Sequence, residues 1–337
     1  MRAGADARRS DDDVRGQIRT ARTSAREVTF LGGEPTILPE LTSWTSFAAG
    51  IGFRQVQVQT NGRRLSYRSY ARELSAAGVG DLDVSIHGHD AAVHDFHVGA
   101  DGAFSQTTAG ISNALAAGMS VGTTTVVTRS NFRHLEDVVR LSLRLGASRV
   151  HLAAAAARGS AEASFDSVVP RFALAQEPVK RALDVARSAG VPAIVSGFPA
   201  CFLGDHAPAS MDLIAAGSAI DREHVPACAS CGWKGVCPGL PAEVRRRHGD
   251  AEAAPRSDSP PSRIAKASRE AASLVAGPGP VESVRPERLA ERPAQADVVH
   301  ARLHELGKPL PALHEIRVPR RKTGKDLEEI FPDLVKA

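Results

Sequence analysis

Aromatic side chains are scarce in this chain of 337 residues, at 4% of the composition. A core must therefore be assembled from Ala, Val, Leu and Ile, within an apolar content of 42% that is ordinary for a globular protein. No run of eighteen apolar residues occurs, which excludes a conventional membrane-spanning helix. The N-terminal residues, with Arg8, Arg9 and the aspartates Asp11, Asp12 and Asp13, lack the apolar stretch of a signal peptide, and the expected location is the cytoplasm. A dominant charge is missing too. The 42 basic and 38 acidic residues leave +4, too little to argue for a nucleic-acid partner. The basic residues near the end, such as Arg317, Arg320, Arg321 and Lys322, read as a solvated surface. Cysteine is absent from the first 200 residues. All four lie between Cys201 and Cys237, and in a reducing compartment such clustering favours metal ligation over disulfides.

What is present is a regular alternation of strand and helix signals from residue 27. Strands are expected at Glu27–Leu31, Arg54–Gln59, Asp81–Ile86, Val121–Val127, Arg149–Ala154 and Val191–Val195. Helices are expected near 39–49, 67–77, 104–117, 132–145 and 176–189, with glycines at their ends (Gly50, Gly78, Gly118, Gly146, Gly190) to supply left-handed stops. Repeated βα units imply a parallel sheet with right-handed crossovers, and six of them suggest a barrel or partial barrel with its site at the C-terminal strand ends. The expected division is a core over 1–199, a cysteine-rich segment over 200–249, a disordered linker over 250–288 rich in Ala, Pro, Ser and charge, and a basic tail over 289–337 with a weak helical pattern around 298–306.

The strand tips carry polar or small residues in succession: Gly32-Gly33-Glu34-Pro35, Thr60-Asn61-Gly62, Ser85-Ile86-His87-Gly88 and Thr128-Arg129-Ser130-Asn131. Each alone is an ordinary turn. Four on one mouth indicate a ligand site. His87, His94 and His97 near the third tip could face a substrate cavity, although lone histidines are more often surface or core residues. The order FLGGEPT, QTNGRRL, DVSIHGHDAAVHD, TVVTRSN resembles the core domain of radical S-adenosylmethionine (SAM) enzymes over roughly residues 20–200. The resemblance implies that Gly32, Gly33, Glu34 and Pro35 hold the SAM amino group. It implies contacts to the SAM carboxylate and ribose for Thr60, Asn61, Ser85 and Asn131, with residues 152–159 flanking the adenine.

That family binds a [4Fe–4S] cluster through C-x3-C-x2-C after the first barrel strand, and residues 1–31 contain no cysteine and no convincing strand before Glu27. The expected fold is therefore an α/β, partial (β/α)6 TIM-like barrel lacking its first strand, as an N-terminal truncation would leave, with a small cysteine-rich extension. Its strand Glu27–Leu31 would be an unpaired apolar edge and a solubility liability.

Cys201 followed by Cys228-x2-Cys231-x5-Cys237 supplies four thiolates, enough for a zinc site or an iron–sulfur cluster, and spacing alone does not decide between them. Gly232, Gly235 and Gly239 permit sharp reversals around a metal. The run resembles the SPASM or twitch auxiliary-cluster segment of radical SAM enzymes. Because position 241 is Pro rather than a further cysteine, one auxiliary cluster at most is implied. His206, His224 and His248 flank the segment as substitute ligands. The resemblance implies reductive SAM cleavage, a 5′-deoxyadenosyl radical, a small-molecule or peptide substrate and a flavodoxin or ferredoxin electron donor. As written, without the cluster cysteines, the chain is expected not to cleave SAM. The rival readings are a SAM-fold remnant acting as a binding or scaffold protein, and a non-radical barrel enzyme with structural zinc.

Overall fold

The computed structural model describes residues 10–157, 160–213, 221–262 and 264, and the backbone of 314–317. Close contacts group the chain into two units. The first comprises Met1–Ser85, Ser105–Gly122 and His300–Ala337, and the second Ile86–Phe104 and Thr123–Val299.

The first unit opens with a helix that the strand-and-helix pattern from residue 27 did not anticipate, α1 (Asp11–Arg22). Its start is nonetheless written in the chain. Ser10 accepts from the Asp13 amide while Asp13 accepts from the Ser10 amide, a reciprocal capping box, and three aspartates sit at the positive end of the helix dipole. Val14, Ile18 and Ala21, at helical spacing, are fully buried. The helix docks on α2 (Leu41–Gly50), where Asp11 accepts from the Trp44 indole at 2.6 Å and Arg15 and Arg19 lie over Phe47.

Strands β1 (Glu27–Leu31), β2 (Gln55–Thr60) and β3 (Asp81–Ser85) pair parallel, connected through α2 and α3 (Arg68–Ala76). Although QVQVQT alternates polar and apolar residues with period two, both faces of β2 are covered. Its polar face is satisfied across the sheet: the Thr29 hydroxyl donates to Gln57 Oε1 at 2.8 Å, and Gln57 Nε2 donates to Asp81. Such a ladder fixes register, because a one-residue slip would bury these groups without partners.

The edge beyond β1 is not open. Strand β9 (His314–Arg317) pairs parallel with it, Val28 opposite His314 and Leu31 opposite Arg317. The expected unpaired edge is thereby corrected, because a distant segment inside the expected basic tail supplies the missing ladder partner. Local pattern could not reveal this, since four residues carry no periodicity of their own. The helical pattern around 298–306 lies outside the described residues.

Helix α4 (Ala91–Val98), in the second unit, follows the β3 tip, and α5 (Ala103–Ala116), which lies mostly in the first unit, leads to β4 (Ser120–Val127), which begins beside β3. The helix α4 was not anticipated either: Phe96 is 77% exposed, so no apolar stripe announces it. Strands β4, β5 (Arg149–Ala154) and β6 (Ala193–Ser196) follow in order, connected by α6 (Leu135–Arg144) and then by one-turn helices α7 (Ser160–Ala163) and α8 (Phe165–Val168) and the long α9 (Phe172–Ser188). The α/β class and six parallel strands are as expected, with boundaries shifted by a few residues. Strand β6 starts late because Pro192 has no N–H for the ladder. A second polar ladder lines these strands, with fully buried His151 bonded to Ser196 Oγ at 2.9 Å and Thr124 Oγ1 at 3.3 Å.

After β6 come α10 (Ala200–Leu203), the short antiparallel pair β7 (Arg222–Glu223) and β8 (Leu240–Pro241), and α11 (Ala242–His248). The stretch expected as a linker from residue 250 begins as packed structure. Glu252 is buried against Arg171, and Asp258 accepts from the Trp233 indole at 3.2 Å. Residues 265–288 lie outside the described residues.

Proline removes a ladder N–H, so the double substitution Glu315→Pro/Ile316→Pro should detach β9 and uncover β1. The expected outcome is a lower thermal midpoint and concentration-dependent association by light scattering. An unchanged midpoint with a monodisperse protein would contradict the pairing.

Candidate functional site

At the tips of β1 and β2 one carboxylate gathers the chain. Gly32 and Gly33 turn with φ of 97° and 53°, a region open to glycine, and Pro35 starts a one-turn 3-10 helix. Glu34 Oε1 accepts from the Thr36 amide at 3.1 Å, the Thr36 hydroxyl at 2.6 Å and the Thr60 hydroxyl at 2.6 Å. Its Oε2 accepts from the Asn61 amide at 2.7 Å. Four donors on one carboxylate make Glu34 a clamp between the two loops. The Asn61 side chain stays local, accepting from the Arg63 amide at 2.9 Å, and the Asn61 carbonyl accepts from Thr107 on α5. The structure thus brings together Glu34, Pro35, Thr60 and Asn61, with Gly32 and Gly33 leading into the clamp. Ser85, half-buried, ends β3 in the same unit.

The second unit holds the loop after β3 and the β4 tip. Asn131 is fully buried, with all of its side-chain groups in use: Oδ1 accepts from the Thr128 amide, and Nδ2 donates to the carbonyls of His87 and Val126. It fastens one tip to the next and has no group left for a ligand. The histidines form a cluster. The His87 amide donates to His94 Nδ1 at 3.1 Å, and the Val126 amide donates to His87 Nδ1 at 3.3 Å. The His87 and His97 rings stack at 4.2 Å, and His97 Nδ1 lies 3.1 Å from Ser130 Oγ. Burial, then the neighbouring His97 and His94, holds His87 well below the ordinary histidine range. Burial and His94 lower His97 to about 4. Both rings are neutral at pH 7.

The four cysteines line one pocket together with His224, Trp233 and Leu240. Cys201 rides on α10, Cys228 on the 3-10 turn Pro226–Ser230, Cys231 at the end of that turn, and Cys237 one turn beyond Trp233. All four are free thiols and half-buried. The sulfurs receive backbone hydrogen bonds, Ala200 donating to Cys237 and Arg256 to Cys231, each at 3.4 Å. Burial is the main cause that raises the Cys201 and Cys237 thiols, so ionisation there needs a compensating cation. Gly232 is required by close packing: a Cβ there would meet the Asp258 carbonyl at 2.3 Å. Of the flanking histidines, His224 bonds the Cys237 carbonyl at 2.8 Å, His206 faces Asp184 at 3.5 Å and His248 packs on Phe165. Among the described residues, no three of the sulfurs lie within 4.8 Å of one another. A tetrahedral zinc with 2.3 Å bonds would hold its sulfurs about 3.8 Å apart.

Sequence reasoning missed Arg256 and Trp233. Arg256 donates its amide to Cys231, lies 4.6 Å over Trp233 and pairs with Asp258 at 2.7 Å, closing the pocket from a stretch whose composition resembles a linker. The signal that could have found it is the R-x-D pair just after the cysteine segment.

The family model described as Radical SAM superfamily matches residues 2–142. The chain is 32% identical over 142 residues to an AdoMet-dependent heme synthase of Nitratidesulfovibrio vulgaris, covering 42% of this chain and 38% of that protein. It is 29% identical over 128 residues to a probable GTP 3′,8-cyclase of Sulfurisphaera tokodaii, covering 38% of this chain and 40% of that one. The chain thus spans about two fifths of the length of these relatives. Among solved structures, Streptococcus suis SuiB bound to precursor peptide SuiA is similar with a TM-score of 0.48 at 15% identity, covering 62% of this chain and 46% of that one. Among the described residues, no helix is long and apolar enough to cross a membrane.

Glu34→Gln replaces an acceptor by a donor facing the Asn61 amide. It should cost about 1–3 kcal/mol in denaturant unfolding, the penalty for an unpaired buried group. Unfolded histidines take up protons near pH 6.5, whereas His97 resists until about 4. Folding stability should therefore fall as pH drops from about 6.5 towards 4, and His97→Gln should flatten that decline in pH-dependent thermal melts.

Proposed function

Because residues 2–142 match the family model described as Radical SAM superfamily, we propose that the chain is the body of a radical SAM enzyme, with SAM held in the first unit and an auxiliary iron–sulfur cluster in the second. The observation that carries this reading is the Glu34 carboxylate, which locks the Gly32–Gly33 turn to Thr60 and Asn61. In this reading the carbonyls of Gly32 and Gly33 accept from the amino group of SAM, and Glu34 adds negative charge behind them. The Thr60 hydroxyl orients the carboxylate, and Ser85 offers a further hydroxyl from the tip of β3. Asn131 shapes its loop from within rather than meeting the ligand.

Members of this superfamily use SAM and a [4Fe–4S] cluster to generate a 5′-deoxyadenosyl radical that takes hydrogen from the substrate. The four cysteines of this sequence all lie in the 201–237 segment, and none fits a C-x3-C-x2-C motif before Gly32. For the auxiliary site the residues fit. Four half-buried thiols line one pocket, and backbone amides together with Arg222 and Arg256 offset thiolate charge.

The neutral histidines His87 and His97 stay uncharged at pH 7 and so favour a substrate that needs no cationic partner at that tip. The substrate class is a small molecule or peptide, consistent with relatives named for heme and GTP chemistry, and a flavodoxin- or ferredoxin-type protein would supply electrons.

Anaerobic reconstitution with iron and sulfide should load about four irons and four sulfides per chain, with a cluster signal in electron paramagnetic resonance after reduction. Cys228→Ala/Cys231→Ala should abolish both, while SAM binding by calorimetry should survive that change and weaken in Glu34→Gln. Stoichiometric zinc with no iron uptake would refute the auxiliary cluster.

A further inference from the structure

Away from the cysteines, three ligand-type side chains converge at the tips of the second unit. His89 lies on the loop after β3, His134 ends the one-turn 3-10 helix before α6, and Asp137 is on the first turn of α6. One ligand atom from each lies within 4.8 Å of the others. His134 and Asp137 are three apart on one helical face, which places both donors on the same side.

The orientation of His89 is the decisive feature. Its Nε2 faces Asp90 Oδ2 at 3.3 Å, and Asp90 is itself anchored as the cap of α4 by the Val93 amide at 2.9 Å. With Nε2 turned to that carboxylate, Nδ1 is the other ring nitrogen available to a ligand. Nδ1 is buried and has no hydrogen-bond partner. A carboxylate on one imidazole nitrogen and nothing on the other is the arrangement of a metal-ligating histidine with its supporting outer carboxylate. The loop is held rigidly, since a Cβ on Gly88 would meet the His94 amide nitrogen at 2.3 Å. The His134 ring stacks on His89 at 5.0 Å, and its amide is fixed by the Asn131 carbonyl at 2.8 Å.

We propose that His89, His134 and Asp137 bind a divalent ion of the zinc class, with a water in the fourth position. Two imidazoles and a carboxylate suit that borderline ion and disfavour magnesium or calcium, which take oxygen donors. A tetrahedron with 2.0–2.1 Å bonds has edges of about 3.3 Å. Closure from 4.8 Å needs only rotation of half-buried His134 and exposed Asp137 towards the fixed His89. The ion would staple the β3 loop to the start of α6.

The test separates this site from the cysteines. The full chain, carrying its reconstituted iron–sulfur site or with its thiols left reduced, is titrated with Zn²⁺ against a chromophoric chelator. Wild type should bind one equivalent more than His134→Gln or Asp137→Asn, and Zn²⁺ should raise its thermal midpoint by more than theirs. Asp137 is exposed, so the metal-free midpoint of Asp137→Asn should match wild type. Co²⁺ gives a second readout: a ligand-field spectrum without thiolate charge transfer, lost in both variants and in His89→Gln. Equal stoichiometry in wild type and variants, or cobalt absorption that always carries thiolate charge transfer, would overturn the site.

Discussion

Parallel pairing is the constraint on which the other features rest. Two parallel neighbours cannot be joined by a tight hairpin, so each strand must be followed by a crossover, and every strand then ends on the same side. In this chain the crossovers bury both faces of the strands, which forces polar side chains on the inner face to find one another. Thr29, Gln57 and Asp81 do so in the first unit, and Thr124, His151 and Ser196 in the second. These ladders penalise any slip in register. A fixed register in turn fixes which residues emerge at the tips.

At those tips the chain uses charge sparingly and saturates it. Glu34 receives four donors, and Asn131 is used completely by its neighbours. The histidines of the β3 tip remain neutral because burial and mutual proximity both oppose protonation. Loops whose polar groups are already satisfied hold their backbone in place before any ligand arrives. The cysteine pocket follows a different logic. Its thiols are buried enough to resist ionisation on their own.

The edge of β1 shows how far a local reading reaches. EVTFL declares itself a strand, and nothing near it in sequence offers a partner. The partner is HEIR, nearly three hundred residues away. An exposed apolar edge is costly enough that a short, otherwise undistinguished segment gains order by covering it. The same holds for Arg256: proline and serine around it read as linker, yet a guanidinium that can lie over Trp233 and pair with Asp258 is drawn into the core of the cysteine segment.

The sequence by itself determined the α/β class, six strand positions to within a few residues, the GGEP and TNG tips, the four-cysteine cluster and a family resemblance. These are carried by local periodicity, glycine punctuation and motif spacing, which need only neighbouring residues. Tertiary structure alone decided that Glu34 is a clamp, that Asn131 faces inward, that β9 covers β1, and that His89 meets His134 and Asp137. Each of these depends on a hydrogen bond, a ladder or a juxtaposition between residues far apart in the chain. Which distant groups meet is set by packing, and no pattern along the sequence encodes it.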